Sequence, residues 1–365
     1  MKISKRAARD VAITLAAAVS GGALFAFLDM PAPWLTGSVL VVLTLALAKA
    51  PLLMPDPIRV VFFVAIGVQI GSGFGPDMVE RVAKWPFSLV GLGVAVLLVI
   101  VTCSAFLVRV PKWSRETAFY ASVPGALSLV LALSMRSTAD VRLVMLAQIL
   151  RLVSLLAIMP TLLTITLAPP ASPPQPALDY LQLGLVLLLA APLAYVLERR
   201  GVPAGSMLAG ITVSAALHFF GVVHGQLPNA VLIPCQIVLG ANIGARFTNT
   251  DLAFLKRAIM PSLATFFIAV AVSTAVALAV AWAFELPAGQ VVVAFAPGGI
   301  EAMTLMAIVL GFDPAFVATH QLARFFGLAL MLPLISKLFL RNLPAPDVPS
   351  NEPDEPPPPH GQSGR

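Results

Sequence analysis

Long apolar stretches, separated by short polar loops, occupy most of the chain. In the first half they cover about residues 11–28, 34–49, 58–74, 86–108, 116–135 and 142–168, and in the second half 178–197, 204–220, 229–247, 261–284, 289–311 and 314–340. Many are close to the roughly 20 residues that a helix needs to cross a bilayer. They are continuously apolar and lack the alternation of polar and apolar residues that is typical of barrel strands. The pattern therefore predicts an all-α polytopic membrane protein.

The same set of residues occurs twice, at a constant separation of 173 positions. Pro124, Gly125, Asp140, Gln148, Arg151 and Pro160 recur as Pro297, Gly298, Asp313, Gln321, Arg324 and Pro333. An internal repeat indicates two copies of one structural unit. We predict a first membrane repeat over residues 10–168 and a second over 178–340. A proline-rich linker (169–177) joins them, and a proline-rich acidic tail (341–365) is expected to be disordered.

Composition agrees with a membrane location and excludes several other classes of protein. Hydrophobic residues make up 59% of the chain and charged residues 11%, against roughly 45–50% and about 25% in soluble domains. The net charge of +6 resides mainly in short loops and at the N-terminus, so it does not indicate direct nucleic-acid binding. Cys103 and Cys235 lie in apolar segments and match neither a disulfide framework nor a metal motif. We find no catalytic constellation, and we expect no enzyme activity, no cofactor and no metal.

The distribution of lysine and arginine predicts the topology, because these residues favour cytoplasmic loops. The basic N-terminus is expected in the cytoplasm, leading into a retained first membrane helix rather than a cleaved signal peptide. The linker has no lysine or arginine and is expected outside, whereas Arg199, Arg200, Lys256 and Arg257 are expected inside. These placements require about five crossings in each half. Five is odd, so the second repeat should be inverted relative to the first, as in many secondary transporters, and we expect a bacterial-type inner-membrane location.

Each half carries a proline-glycine pair in a segment that is poorly suited to form a straight membrane helix. The pairs are Pro124-Gly125, followed by Ser128, and Pro297-Gly298-Gly299. Proline and glycine destabilise a helix interior by roughly 3 and 1 kcal/mol relative to alanine, which predicts a re-entrant or broken helix in each repeat. Backbone N–H groups at two such breaks would form an anion site if they met at the bilayer midplane. The alternative is a proline kink that serves helix packing alone.

Polar residues inside the apolar segments are further candidates for binding a solute or an ion. Glu301 is the only acidic residue deep in an apolar segment, and it is interpreted as a proton carrier or as a structural partner for an arginine. The pairs Gln148–Arg151 and Gln321–Arg324 each have a spacing of three residues, which places both members on one helix face. Each arginine either binds an anionic solute or clamps a broken helix end through hydrogen bonds.

The remaining candidates lie near helix ends or at sites of helix packing. Two small-xxx-small spacings, which permit close helix approach, are formed by Gly67 with Gly71 and by Gly240 with Gly244. The neighbours of these glycines, Gln69 and Asn242, are candidates for lining the pathway. Asp140 and Asp313 are expected to cap the helices that follow them. His320, directly before Gln321, is a candidate for a titratable group or a local polar contact.

Three motifs resemble the membrane AbrB family, whose halves are known as AbrB duplication domains. The motifs are the Gly-x-x-Ile-Gly-x-x-Phe that begins at Gly67 and again at Gly240, the Pro-Gly-Gly-Ile-Glu-Ala-Met stretch from Pro297, and the Gln-x-x-Arg helix. The resemblance covers about residues 10–340. The first copy departs from it at Ala126 and Ser128, which replace the second glycine and the acid, so Glu301 has no acidic counterpart.

The resemblance implies a fold similar to the inverted-repeat group that contains cation/proton antiporters and anion transporters. The first functional expectation is a secondary transporter of a small organic anion or similar solute, with a proton or a sodium ion as the coupling ion. The alternative is a membrane sensor or regulator that affects gene expression indirectly. The family label "ammonia monooxygenase" implies a copper or iron enzyme, for which the sequence carries no metal cluster. The expected partners are the lipid bilayer and the solute, and a homo-oligomeric state is left open.

Overall fold

The computed structural model describes residues 5–74, 85–125, 127–167, 176–202, 204–248 and 250–341. Within these ranges the regular structure is helical, with one isolated bridge between Ala177 and Gln226. The prediction of an all-α protein is therefore confirmed. Most of the predicted linker and almost all of the predicted tail lie outside the described residues.

Each half of the chain folds into the same succession of helices. The first half contains α1 (Lys5–Phe27), α2 (Pro33–Leu47), α3 (Asp56–Gly71), α4 (Trp85–Arg109), α5 (Arg115–Ser122), α6 (Leu127–Ser134) and α7 (Val141–Thr166). The second half contains α8 (Tyr180–Arg199), α9 (Gly205–Phe219), α10 (Asn229–Gly244), α11 (Leu252–Ala283), α12 (Ala288–Phe295), α13 (Ile300–Val309) and α14 (Pro314–Arg341). Helices α3, α5 and α7 begin 173 residues before α10, α12 and α14. The sequence repeat is thus a repeat of helices.

Seven helices of the described residues are long and apolar enough to cross a membrane. They are α1, α4, α7, α8, α10 with its short 3-10 extension, α11 and α14. Large apolar side chains stay exposed on several of them, including Val90 (70%), Leu181 (81%) and Trp282 (85%). Such surfaces are favourable in lipid, because hydrocarbon chains solvate them. The chain is accordingly a multi-pass membrane protein.

Glycines bring helices of the two halves into close contact. Helix α3 packs on α9, where a Cβ atom built on Gly67 would lie 2.2 Å from the carbonyl oxygen of Met207. Helix α10 packs on α2 in the same way, and a Cβ atom built on Gly240 would lie 2.6 Å from Cβ of Ser38. Each half therefore places its third helix against the second helix of the other half, and the two halves interlock.

Two aspartates fix the start of the last long helix in each half. Oδ1 of Asp140 accepts hydrogen bonds from the backbone N–H groups of Arg142 and Leu143, at 2.9 and 3.2 Å. Oδ1 of Asp313 accepts from the N–H groups two and three residues later at the same distances. The predicted helix caps are confirmed, and they set the register in which the Gln-x-x-Arg pairs of α7 and α14 reach the helix breaks.

Candidate functional site

The two proline-glycine segments interrupt helices at equivalent positions. Helix α5 gives way to α6, and α12 to α13, over four residues in each case. The first residue after the helix is Val123 in one half (φ −61°, ψ 123°) and Ala296 in the other (φ −53°, ψ 135°). These two residues are 173 positions apart and leave the helix with nearly the same backbone angles. The repeated motif thus produces the same break twice.

In the first half, the buried Gln-x-x-Arg pair of α7 clamps the end of α5. Nε2 of Gln148 donates hydrogen bonds to the carbonyl oxygens of Tyr120 (3.1 Å) and Val123 (3.2 Å). Nη2 of Arg151 donates to the same oxygen of Val123 (2.9 Å) and to Oε1 of Gln148 (3.1 Å). The break leaves these carbonyl groups without helical donors, so the side chains replace the missing helical hydrogen bonds.

In the second half, the corresponding pair of α14 clamps the end of α12. Nε2 of Gln321 donates to the carbonyl oxygens of Ala294 (3.1 Å) and Ala296 (3.4 Å). Nη1 of Arg324 donates to the carbonyl oxygen of Ala296 (2.6 Å), while Nη2 donates to the carbonyl oxygen of Gly298 and to Oε1 of Gln321. The internal repeat therefore extends from sequence to individual hydrogen bonds.

The two breaks contact one another. Gly125 has a φ of +76°, and a Cβ atom built on it would lie 3.3 Å from Nη2 of Arg324 and 3.4 Å from the carbonyl oxygen of Gly298. A left-handed φ and this tight approach both favour glycine. Pro124 is buried beside this contact. The interrupted segments predicted separately in the two halves are brought together at one place.

A cavity of about 390 Å³ lies where the breaks meet. Eight residues predicted from the sequence line it, and these are Gly125, Gln148, Arg151, Asn242, Pro297, Gly298, Gly299 and Glu301. Arg324 and Gln321 do not line it, since they are buried against the break. The glycines of the small-xxx-small spacings lie at the helix crossings described above. The side chain of Ser128 lies outside the described part of the structure.

Two further candidates from the sequence, His320 and Gln69, do not line the cavity and instead contact neighbouring segments of the chain. The ring nitrogens of the buried His320 lie 2.8 Å from Oγ of Ser88 and 2.8 Å from the carbonyl oxygen of Phe316. Oε1 of Gln69, which is also buried, accepts a hydrogen bond from the backbone N–H of Leu227 at 2.7 Å. Both side chains join neighbouring segments of the fold.

The structure also adds polar residues to the cavity that the sequence did not single out. They are Arg59, Glu198, Ser206 and Arg246. None of them belongs to a repeated polar pair. Arg246 lies inside the repeated Gly-x-x-Ile-Gly-x-x-Phe motif, where the first copy has Gly73. This departure from the repeat was a signal that could have identified Arg246 as a cavity residue.

The charges around the cavity are mixed, with an excess of positive charge. Arg59, Arg151 and Arg246 line it together with two glutamates, Glu198 and Glu301. Oε1 of Glu198 accepts a hydrogen bond from the backbone N–H of Ser206 at 3.2 Å. Arg59 pairs with the exposed Asp56 at 3.3 Å. Among the described residues Arg246 forms no ion pair within 4.0 Å, although it lies close enough to Glu301 for their charges to interact.

Glu301 lies in the first turn of α13, at the edge of the cavity. The helix is preceded by Gly299, which supplies no side-chain cap, so the first backbone N–H groups of α13 have no capping partner there. The N-terminus of a helix carries a partial positive charge and attracts anions. Glu301 is partly exposed and forms no hydrogen bond or ion pair within the described structure. In the same part of the chain, no group of three or more histidine, cysteine, aspartate or glutamate side chains is placed to hold a metal ion.

Comparison with known proteins gives one family and two curated relatives. The family model described as "Transition state regulatory protein AbrB" matches residues 34–340. A protein of Escherichia coli (strain K12) named "Putative regulator AbrB" is 24% identical over 323 residues, which cover 86% of this chain and 91% of that protein. A protein of Bacillus subtilis (strain 168) named "Uncharacterized protein YhjN" is 22% identical over 354 residues, with coverage of 89% and 91%. The similarity extends over both halves of the chain and includes both helix breaks.

Proposed function

Because the chain belongs to the membrane family described as Transition state regulatory protein AbrB, we propose that it is a secondary transporter that binds a small organic anion in the cavity at the two helix breaks. One observation carries the proposal: two broken helices, each clamped by a Gln-x-x-Arg pair, meet at a positively charged cavity. Irregular backbone at membrane depth is tolerated against protein or a water-filled cavity. Broken helices of this kind form the solute sites of many secondary transporters.

The proposal includes an inverted arrangement of the two repeats, with the N-terminus in the cytoplasm of a bacterial-type cell. It is supported by the loops rich in lysine and arginine, which an odd number of crossings per half would place on the cytoplasmic side. The reciprocal packing of α3 on α9 and of α10 on α2 relates the halves by an approximate two-fold axis, which both inverted and parallel repeats have. Alternating access would require one half to move against the other at this contact surface.

We propose Glu301 as the group that couples transport to a proton. It lines the cavity, and Ser128 holds the equivalent position in the first half, so only the second break carries an acid. Among the described residues no cation lies within ion-pair distance of its carboxylate. A carboxylate that is not committed to a structural partner is free to gain and lose a proton as the cavity changes its access to water. Sodium in place of the proton is the alternative coupling ion.

A membrane sensor is the second candidate function. It is favoured by the name of the Escherichia coli relative, "Putative regulator AbrB", which describes that protein as a regulator. In this account the same cavity binds the solute, and gene expression responds indirectly. Binding would then occur without net movement of solute.

The two candidates are separated by measuring binding and flux on the same preparation. Purified protein is first screened for solutes that raise its thermal stability, because a ligand of the native state stabilises it. Protein in sealed vesicles is then assayed for exchange of the solutes found. The transporter account predicts protein-dependent exchange that is lost in Arg151→Gln and kept in Arg109→Gln, since Arg109 ends α4 outside the cavity. Ligand-induced stabilisation with no exchange would reject transport and favour the sensor.

A further inference from the structure

We propose that the cavity is specific for monocarboxylates with an apolar body, and that Arg151 and the N-terminus of α13 bind the carboxylate group. The inference rests on the proposed function in one respect, since it takes the cavity to be the solute site. It goes further by stating the charge and the shape of the ligand.

Two arginines at equivalent positions of the repeats differ in how many of their donors hold a helix break. Arg324 uses both terminal nitrogens to hold the second break, and it does not line the cavity. Arg151 lines the cavity and uses only Nη2 to hold the first break. Its N–H groups on Nε and Nη1 donate to no described residue, although the residue is only 7% exposed. The repeat thus provides one arginine for structure and a second that keeps donors for a ligand.

The cavity that Arg151 lines also contains the N-terminus of a helix. Helix α13 has ten residues and begins at the cavity wall, where Gly299 and Ile300 both line the cavity. A Cβ atom built on Gly299 would lie 3.6 Å from Oε2 of Glu301 and 4.0 Å from Cδ1 of Leu152, so the Glu301 carboxylate lies beside the same helix N-terminus. Arg151 and the first residues of α13 line one cavity, and guanidinium and backbone N–H groups both donate hydrogen bonds to anionic oxygen atoms.

The charged side chains around the cavity determine which ligand charge they can compensate. Arg59 lines the cavity but is paired with Asp56. The remaining charges are those of Arg151 and Arg246, of Arg324 directly behind Gly125, and of Glu198 and Glu301, which together give an excess of one positive charge. A monovalent anion compensates that excess. A divalent anion would leave a net negative charge in the cavity with Glu301 ionised. A neutral or cationic ligand would leave the positive charge of Arg151 uncompensated, which is unfavourable for a buried charge.

Part of the cavity wall is apolar. The remaining lining is largely hydrocarbon and aromatic, and it includes Phe63, Leu127, Ile149, Leu239 and Phe325. The volume of about 390 Å³ falls within the roughly 300–1,000 Å³ of pockets that hold organic ligands. A small inorganic anion would contact only the polar side of such a cavity. A carboxylate attached to a ring or a branched chain would fill both sides.

The test is a binding panel of small probes that differ in one property at a time. Full-length protein in lipid nanodiscs is titrated calorimetrically with phenylacetate, benzyl alcohol, benzylamine, phthalate, acetate and sulfate. We expect phenylacetate to bind at least about tenfold more tightly than the alcohol or the amine, because among these three it alone supplies an anionic acceptor for the charged donors. We expect acetate to bind at least about tenfold more weakly than phenylacetate, because it buries no ring. Tightest binding of sulfate, phthalate or benzylamine would overturn the inference, as would equal binding of phenylacetate and benzyl alcohol.

Two variants locate the carboxylate within the cavity. Arg151→Gln should weaken phenylacetate binding by about tenfold to a hundredfold, the size of one charge-assisted hydrogen bond, and should leave the weak binding of benzyl alcohol unchanged. Arg246→Gln removes a cavity charge that holds no other described residue, so it provides the same test if Arg151→Gln fails to fold. It should weaken phenylacetate and leave benzyl alcohol unaffected, while Arg109→Gln changes neither. Unchanged phenylacetate affinity in a folded Arg151→Gln variant would overturn the inference, and if that variant does not fold, unchanged affinity in Arg246→Gln would overturn it.

The outcome also separates this inference from the transport proposal. Phenylacetate binding that depends on Arg151 or Arg246, without any exchange across vesicles, supports the ligand class and rejects transport. Exchange of another solute by protein that binds no monocarboxylate rejects the ligand class and leaves transport standing.

Discussion

At the scale of single residues, some side chains at equivalent positions of the two repeats form different hydrogen bonds. Gln148 and Gln321 both hold carbonyl groups at the ends of broken helices. Arg324 holds two carbonyl groups and Oε1 of Gln321, whereas Arg151 holds one carbonyl group and Oε1 of Gln148 and keeps free donors. Glu301 has a serine as its counterpart. The residues proposed to bind the solute and the proton are therefore those at which the two halves differ.

The first prediction concerns the two arginines. In Arg324→Gln the carbonyl group of Gly298 loses its donor, which should lower the free energy of unfolding by about 1–3 kcal/mol. In Arg151→Gln the carbonyl group of Val123 keeps the hydrogen bond from Gln148, so the loss should be smaller. Thermal unfolding of both variants in the same detergent measures the difference. Equal stability of the two variants would contradict the division of roles.

The second prediction concerns Glu301→Gln, which keeps the shape of the side chain and removes its titration. Because Glu301 holds no described partner, we expect the variant to fold and to bind solute. Exchange by the variant should lose its dependence on pH, whereas exchange by the control Glu285→Gln, an exposed loop residue, should keep it. The charged groups that share the cavity are Arg59, Arg151, Arg246 and Glu198, and they are unchanged in both variants. An unaltered pH profile in Glu301→Gln would eliminate it as the proton carrier.

At the scale of helices, the interrupted elements and the glycine contacts position the site. The breaks in α5–α6 and α12–α13 contribute residues to the cavity wall, and α7 and α14 hold the broken ends. The crossings of α3 with α9 and of α10 with α2 set the distance between the halves. A substitution at one of these helix crossings should therefore destabilise the packing of the two halves against each other.

The third prediction tests one crossing. In Gly67→Ala the new Cβ atom would lie 2.2 Å from a backbone carbonyl oxygen of α9, so the helices must separate. We expect a loss of about 1–3 kcal/mol in the free energy of unfolding, as for other overpacked contacts. Gly184→Ala is the matched control, because nothing lies within 4 Å of the added atom and alanine favours a helix by up to about 1 kcal/mol over glycine. A Gly67→Ala variant as stable as the Gly184→Ala variant would refute the close contact.

Much of this element-level arrangement follows from local sequence signals. Proline-glycine pairs break helices, and aspartates before Val141 and Pro314 cap them, because both effects act within a few residues. The cavity lining at Arg59 and Arg246 could not be predicted in this way, since it depends on how distant helices cross. His320 illustrates the same limit, because its partner Ser88 is 232 positions away in the chain.

At the scale of the whole molecule, the cavity lies where the two interlocked halves meet, and in the described part of the chain each half supplies one proline-glycine break to it. The fourth prediction is that the halves are inverted. Ser172→Cys in the linker should react with an impermeant thiol reagent from outside the cell, and Arg200→Cys at the end of α8 only after the membrane is permeabilised. Both are placed in a background in which Cys103 and Cys235, which are buried, are replaced by alanine. A cytoplasmic position 172 would instead indicate parallel repeats with six crossings each.

The central claim is that the cavity at the meeting helix breaks moves an organic anion across the membrane. It is tested most directly by counterflow in sealed vesicles loaded with the monoanion that binds most tightly, with labelled anion added outside. The account predicts transient accumulation of label by the wild-type protein, no accumulation above protein-free vesicles by Arg151→Gln, and wild-type accumulation by Arg109→Gln. Wild-type protein that is folded, binds the anion and yet gives no accumulation above protein-free vesicles would contradict it.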